Sequence, residues 1–493
     1  LLYAGTDDGL VQVTEDGGAN WRQGGPLGGV PEEAFVNDVK ADLFDADTVY
    51  VALDDHKNGD FKPYLVKSTD RGRTWRSIAG DLPDRHLVWR LVQDHENPEL
   101  LFLGTEFGIF FTIDGGDKWI KLTGGVPNIP FRDLAIQTRE NDLVGASFGR
   151  GFFVFDDYTP LRHVSEEALQ QEAKLFPVRD AWWYVEKRPL GRGAKATQGT
   201  DFYVAPNPPF GAVFTYYLKD GYKTRKAERQ EAEKKLAEEG GDTPNPGWDV
   251  LSEEAREEEP GVVFIVRDEA GTVVRRFTGP AAKGFHRVAW DLRYPATDPV
   301  TSLEEGEDFM PDDGPLAPPG RYTVSMAVRQ GGQFQEVGDS QSFEVKRLFE
   351  GTLPGASPAD MVAFNREIAE LNRQVGAVGH ILDTTAERLT LIKHALLQST
   401  HADHSLDIEA RELERQLHEL REMVYGNETM DELGEPVPHS IGRRLGAAYM
   451  GTMLSTYGPT PNHQQTLANA EEEMAAVKSG LSQLVGVDLP AFE

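Results

Sequence analysis

The 493-residue sequence contains no cysteine. Disulfides, thiol catalysis and Cys-ligated metals are therefore excluded. Basic charge is in deficit: 50 Lys and Arg face 81 Asp and Glu, for a formal net charge of −31. Nucleic acid and anionic lipid need a basic face, so neither is an expected partner. The excess acid reads as a solubilising surface. Lysine is scarcest, with 18 against 32 arginines, a ratio that fits a salt-adapted source and a GC-rich bacterium alike. No stretch is long and apolar enough to span a membrane. The chain opens on Leu1-Leu2 with no initiator Met and no signal peptide. No Ser-His-Asp set, phosphate loop or nucleotide fingerprint is identifiable. What remains is a chain with 39% hydrophobic residues, enough for packed cores and, at this length, for three domains.

One eight-residue pattern recurs three times. It reads Ser/Thr-x-Asp-x-Gly-x-x-Trp at Thr14 to Trp21, Ser68 to Trp75 and Thr112 to Trp119. The residue types dictate a turn: the Asp accepts hydrogen bonds from its own backbone, Gly supplies positive φ, and Trp fills the space between neighbouring sheets. Asp16, Asp70, Asp114, Trp21, Trp75 and Trp119 are accordingly structural residues. The pattern resembles the Asp box of bacterial-neuraminidase-type repeats.

Successive Asp residues stand 54 and 44 residues apart, at or above the usual spacing of β-propeller blades, roughly 40–50 residues. Each unit reads as strands A-B-C-D with the turn between C and D. Residues 35–43, 87–93 and 131–137 are A strands; 48–53, 100–104 and 143–146 are B strands. About four blades are visible. The first lacks its A strand and the last, ending in a C strand at 151–155, lacks its D strand. Two open edges would be an aggregation liability, so we expect the C-terminal part of a longer protein.

The fold expected overall is mainly β with an α C-terminal module. Residues 1–162 form a partial β-propeller, 163–349 an Ig-like β-sandwich with a helical insertion at about 219–259, and 350–493 a helical bundle. Short alternating strands at 261–268, 271–277, 284–292 and 319–324 suggest the sandwich. Trp290-Asp291 and Pro319-Gly-Arg-Tyr322 within them resemble the Ig-like domain of flagellar hook-capping proteins. Period 3.6 then takes over: Met361, Phe364, Ile368, Leu371 and Val375 mark a helix, and Leu389, Ile392 and Leu396 mark more helix after Gly379. Leu406 to Val424 and Ile441 to Leu454 follow, and the last helix is capped by Thr460 with Pro461 at its first position. The bundle reads as a structural or assembly module, with a homo-oligomer as one outcome.

With these segments placed, the chain resembles exported bacterial proteins of the sortilin-N-terminal-domain-like, neuraminidase-repeat type, some of which carry a glycosyl hydrolase label. The stretches that carry this are Ala146 to Arg162, Ala205 to Leu218 and Tyr457 to Pro461. Ser147-Phe148-Gly149-Arg150 departs from the Thr-His-Gly-Arg expected there, so any role of that His is absent here. The resemblance implies an exported, periplasmic or extracellular protein with further propeller upstream. It implies two functions: a sortilin-like binding or scaffold module for peptide or glycan, or a polysaccharide-directed glycoside hydrolase completed by the upstream part.

Position within the blade separates structural from functional carboxylates. B-to-C loops and A-strand starts lie opposite the repeated turns and would surround one channel mouth. Asp8, Asp55 and Glu106 are the catalytic candidates there. Asp7, Asp38, Arg90, Phe107, Arg132, Asp133, Phe148 and Arg150 are the ligand-binding ones. A glycosidase needs two carboxyls, roughly 5–5.5 Å apart for retention or 6.5–9.5 Å for inversion, one with a raised pKa; nothing in the spacing makes two converge. No cofactor is expected. Asp54 to Asp60 is oxygen-rich enough for Ca²⁺ but lacks EF-hand order. His401-Ala-Asp403-His404 has metal-like residue types at a helix start, where capping explains it better. Trp182-Trp183-Tyr184 fits either sugar stacking or, better, a packed strand.

Overall fold

A computed structural model describes residues 1–186, 205–296 and 313–493. The chain divides into two compact units: Leu1–Arg179 with Thr215–Tyr222 and Ala281–His286, and the remaining residues. It is mostly antiparallel sheet with a C-terminal helical module.

In the first unit four antiparallel sheets follow one another. The first holds β1 (Leu2–Gly5), β2 (Val11–Thr14) and β3 (Arg22–Gln23). The second holds β4 (Phe35–Ala41), β5 (Val49–Asp55), β6 (Asp60–Ser68) and β7 (Arg76–Ser77). The third holds β8 (Val88–Gln93), β9 (Leu101–Thr105), β10 (Gly108–Thr112) and β11 (Ile120–Lys121), and the fourth β12 (Phe131–Gln137), β13 (Asp142–Ser147) and β14 (Phe152–Phe155). Strand order within each sheet is sequential. The first sheet thus has no A-type strand and the fourth no D-type strand, as the phase of the repeat predicts.

Alternation along the strands builds the cores. Tyr50 and Ala52 join Leu65, Leu91, Leu103 and Phe110 in one buried cluster, whereas Val51 and Leu53 join Val11 and Val66 in another. Phe102, Phe131, Leu143 and Tyr158 form a third. The sheets therefore stack face to face. At Gly104 the approach is close enough that a Cβ would fall 2.6 Å from the Phe131 carbonyl oxygen.

The repeated turns behave as their residues demand. The Ser/Thr hydroxyl accepts the Gly N–H in all three: Gly18 to Thr14 at 2.9 Å, Gly72 to Ser68 at 2.8 Å and Gly116 to Thr112 at 3.1 Å. Gly18, Gly72 and Gly116 have φ of 101°, 78° and 103°. Asp16 accepts from Asn20 N–H, Asp70 from Arg73 and Thr74 N–H, and Asp114 from Asp117 and Lys118 N–H. The Asn20 N–H leads in pulling Asp16 down to about 2, and the Thr74 hydroxyl, ahead of the turn N–H groups, holds Asp70 further below the ordinary carboxylate range. At Asp114 burial pushes the pKa up, but bonds from the Thr112 hydroxyl and turn N–H groups outweigh it.

The three tryptophans are not equivalent. Trp119 is buried and its indole N–H donates to the Ile78 carbonyl of the preceding sheet; Trp75 is half-buried beside Gly24 of the sheet before it. Trp21 is 47% exposed, contrary to the packing role expected of it. Each Trp covers the sheet before its own, and the first sheet has none before it in this chain.

After β14 the chain is anchored through Asp94. The Arg162 guanidinium donates to both its carboxylate oxygens at 2.9 and 2.7 Å and the Tyr158 hydroxyl donates at 2.7 Å. Burial pushes the Asp94 pKa up, but these donors hold it below the usual range.

In the second unit a five-stranded sheet has the order Ala181–Trp183, Gln333–Arg347, Gly320–Gln330, Gly261–Asp268, Val273–Gly279, the first pair parallel. Trp183 is buried and the Arg347 guanidinium lies over its ring at 4.8 Å, so this aromatic run is a packed strand. Trp290 and Tyr322 pack edge to face, with the indole donating to the Arg293 carbonyl and the phenol to the Pro318 carbonyl. Between these strands lie solvated helices at Arg225–Glu238 and Trp248–Glu254, joined by the Arg229–Glu254 ion pair.

Helices at Pro358–Gln398, His404–Tyr425, Ile441–Met453 and Pro461–Gln483 share one core around Leu371, Leu382, Leu417, Leu445 and Met474. Gly379 does not interrupt the first of them. It lies inside a continuous 41-residue helix, where a Cβ would run into the Tyr425 hydroxyl. Close approach of another side chain, not a break, is what requires glycine there. Thr460 caps the last helix with Pro461 following, as expected. Asp403 likewise caps a helix through the Ser405 N–H, which accounts for the His401–His404 run. Among the described residues no helix is long and apolar enough to cross a membrane.

Candidate functional site

The ends of the strands opposite the repeated turns carry a second repeated feature. β4, β8 and β12 each contain one residue more than the strand they pair with. The registers skip between Val36 and Asp38, between Val88 and Arg90, and between Phe131 and Asp133. Asn37, Trp89 and Arg132 are therefore β-bulge residues at equivalent places in three successive sheets. A bulge re-aims a side chain out of the ladder, and these three reach from sheet to sheet. Asn37 donates to the Val88 carbonyl at 2.9 Å, and the Arg132 guanidinium lies 3.5 Å over the Trp89 ring.

The residues just after the bulges pair among themselves. Arg90 donates through Nε to Asp133 at 2.6 Å and through Nη1 to buried Asp38 at 2.8 Å, while the Leu91 N–H donates to the other Asp38 oxygen. The carboxylate bond from Asp133 leads in raising the Arg90 pKa against its burial. Asp38, Arg90 and Asp133 thus tie three A strands together, and their charges are spent on one another.

Beside this chain of ions lies a cleft of about 220 Å³ lined by His56, Phe61, Arg85, Leu87, Trp89, Glu106, Phe107 and Arg132. The Glu106 carboxylate accepts the Trp89 indole N–H at 3.1 Å. His56 approaches the Trp89 ring edge-on, 6.0 Å between centroids, and its Nδ1 is in hydrogen-bond contact with buried Asp54. The Arg85 guanidinium sits over Phe61 at 5.5 Å. Phe107 packs edge-on to His86, and the Arg132 guanidinium also lies over the ring of Phe148, at 5.5 Å, a residue 69% exposed.

The sequence-derived candidates therefore separate. Glu106, Phe107 and Arg132 line the cleft, with Phe148 beside Arg132. Asp38, Arg90 and Asp133 are paired in its wall. Asp8 accepts from the Thr6 hydroxyl and Asp55 from the Asn58 amide at 2.6 Å, and neither lines the cleft. Asp7 and Arg150 are exposed and also outside it. The residues that lining adds are Phe61, Arg85 and Leu87, with His56 and Trp89, which stand in the loop and strand start the sequence singled out. A bulge at 89 and the fold-back of Phe61 and Arg85 from separate loops leave no periodic trace, so only the aromatic and cationic types at strand ends hinted at them.

The oxygen-rich run at 54–60 is turned to protein donors. Asp54 faces His56, and Asp60 accepts from the Tyr64 hydroxyl at 2.6 Å and the Lys62 N–H at 3.0 Å. Among the described residues no group of three or more His, Cys, Asp or Glu is arranged to hold a metal ion.

No family model matches the chain and no curated protein matches it. Similar solved structures include a GH74 enzyme of Niastella koreensis, 20% identical over 31% of this chain and 26% of that one, with a TM-score of 0.27. The GH74 xyloglucanase of Xanthomonas campestris is 13% identical over 68% of this chain and 43% of its own, with a TM-score of 0.26. PorZ, an essential surface component of the type-IX secretion system of Porphyromonas gingivalis, is 12% identical over 70% of this chain and 38% of its own, with a TM-score of 0.22. The chain thus spans less than half the length of each. A likeness of this degree says nothing of activity.

Proposed function

We propose that the protein is an exported binding or scaffold module of the sortilin-like, neuraminidase-repeat type, and that the cleft around Trp89 engages a glycan or peptide without turning it over. Residues 1–162 are read as propeller blades, 163–349 as an Ig-like sandwich and 350–493 as a bundle that braces or self-associates. The observation that carries the non-catalytic reading is the cleft's carboxylate content. Among its lining residues Glu106 is the lone carboxylate, and its oxygen is held by an indole N–H. Acid–base hydrolysis of a glycoside needs two such groups across the scissile bond. The rest of the lining is aromatic and cationic, suited to stacking and charge recognition.

The test is a panel of polysaccharides and peptides followed for both binding and product, using the 493-residue protein. Saturable binding with no product, unchanged in Asp8→Asn and Asp55→Asn, supports the reading. Product formation that disappears in folded Glu106→Gln establishes instead the alternative, a glycoside hydrolase. The absence of both binding and product overturns the assignment of the cleft.

A further inference from the structure

Two guanidiniums in the cleft differ from Arg90 beside it and from Arg162 and Arg71 at the other end of the strands. Arg90 is shared between Asp38 and Asp133, and Arg162 is held by Asp94 and Glu96. Arg71 is held by Asp47 and Glu15. Arg85 and Arg132, by contrast, lie on aromatic rings, Phe61 and Trp89, and have no carboxylate partner among the described residues. Other arginines lack an acid partner too, but Arg275, Arg293 and Arg347 donate to backbone carbonyls, whereas Arg85 and Arg132 stand together in the lining of one cleft. Stacking on a ring face fixes the plane of the guanidinium and leaves its N–H edges to be satisfied by something else. His56 adds a third nitrogen base to the lining. Glu106, the lone acid of the lining, accepts the Trp89 indole N–H through one oxygen and keeps its charge.

The size of the site narrows the ligand. A volume of about 220 Å³ falls below the roughly 300–1,000 Å³ of sites that enclose a whole small ligand. It accommodates one unit of a polymer. Phe61 and Phe107 are 41% and 38% exposed and offer ring faces or edges to that unit.

Building on the binding reading above, we propose that the ligand is an acidic oligosaccharide whose hexuronic acid unit sits in the cleft. The uronate carboxylate lies between Arg85 and Arg132, and the pyranose packs against Phe61 and Phe107. Planar guanidinium forks match a carboxylate bidentately, and a sugar ring supplies the flat apolar C–H face that aromatic side chains pair with. The overall negative charge of the protein would repel such a ligand at long range, so recognition is local and selective for a single acid unit.

The experiment is calorimetric titration of the 493-residue protein with an oligogalacturonate, with the same oligosaccharide after reduction of its carboxyls to hydroxymethyl groups, and with peptides bearing a free C-terminal carboxylate. The uronate is expected to bind at least tenfold tighter than its reduced form, weakening as salt is raised. Arg85→Met and Arg132→Met are each expected to lose about 10- to 100-fold in uronate affinity and little in affinity for the reduced form. Unchanged melting temperatures keep the comparison valid, and Arg→Lys at the same positions should restore part of the binding. Equal binding of the reduced and acidic forms overturns the uronate assignment and leaves the binding reading standing. So does uronate binding indifferent to both substitutions. Tight binding of the peptides with none of the uronate replaces the ligand class, and failure of every probe overturns the cleft as a binding site.

Discussion

The two ends of the same strands use the same residue types for opposite purposes. At one end, in the Ser/Thr-x-Asp-x-Gly-x-x-Trp turns, Asp70 is closed by its own turn and Arg71 is divided between Asp47 and Glu15. Trp119 donates its indole proton to the neighbouring sheet. At the other end Arg132 lies open on Trp89, and Phe107 and Phe148 stand half or largely exposed. An Asp, an Arg and a Trp do not declare a role by type. Whether their hydrogen-bonding capacity is consumed within the fold does, because an unspent group next to a cavity is available only to something that enters it.

The comparison is sharpest where a residue is deeply buried. Trp119→Ala is expected to cost roughly 3–5 kcal/mol, read as a large drop in denaturation midpoint, whereas Trp21→Ala, at an exposed copy of the same position, should shift it by less than about 0.5 kcal/mol. Equal losses would show that Trp21 is covered in the folded protein. Asp94→Ala leaves the buried Arg162 guanidinium without its main partner and should cost about 3 kcal/mol; a near-neutral result would break the view that this network closes the fourth sheet.

Acid should act on the turn end first. The folded pKa values of Asp16, Asp70, Asp114 and Asp94 are all depressed. The stability they contribute is therefore fully present above the unfolded value near 4 and lost as pH falls toward about 2. Replacing the three turn aspartates by Asn should flatten that acid limb, measured as melting temperature against pH. The smallest effect is expected at the cleft end, where Arg85→Met and Arg132→Met should each change stability by less than about 0.5 kcal/mol. A larger loss would mean that the fold itself draws on these arginines.

How much of this was legible in the residues follows the same division. The turns are local chemistry: Asp, Gly and Ser/Thr within eight positions specify their own hydrogen bonds, and the strand phase they set holds through β14. Helical spacing is legible on both sides of Gly379, but not the reason for glycine there, which is the tertiary approach of Tyr425. The cleft was legible only in part. Glu106, Phe107 and Arg132 were found from their place at strand ends, but Phe61 and Arg85 join them through tertiary fold-back, and Asp38, Arg90 and Asp133 pair with one another instead of lining the cleft. Pairing between distant charges is set by three-dimensional register, which spacing does not encode.

The three bulges at Asn37, Trp89 and Arg132 have a consequence for how such a site changes over evolutionary time. Three of the four sheets present one side chain from the same bulge position. The contents of that position are tied to the scaffold all the same: Asn37 bonds the Val88 carbonyl of the next sheet and Trp89 is buried. An amide, an indole and a guanidinium already occupy three copies of it. Exchanging one for another would rewrite the chemistry of the rim and the link between neighbouring sheets in the same step.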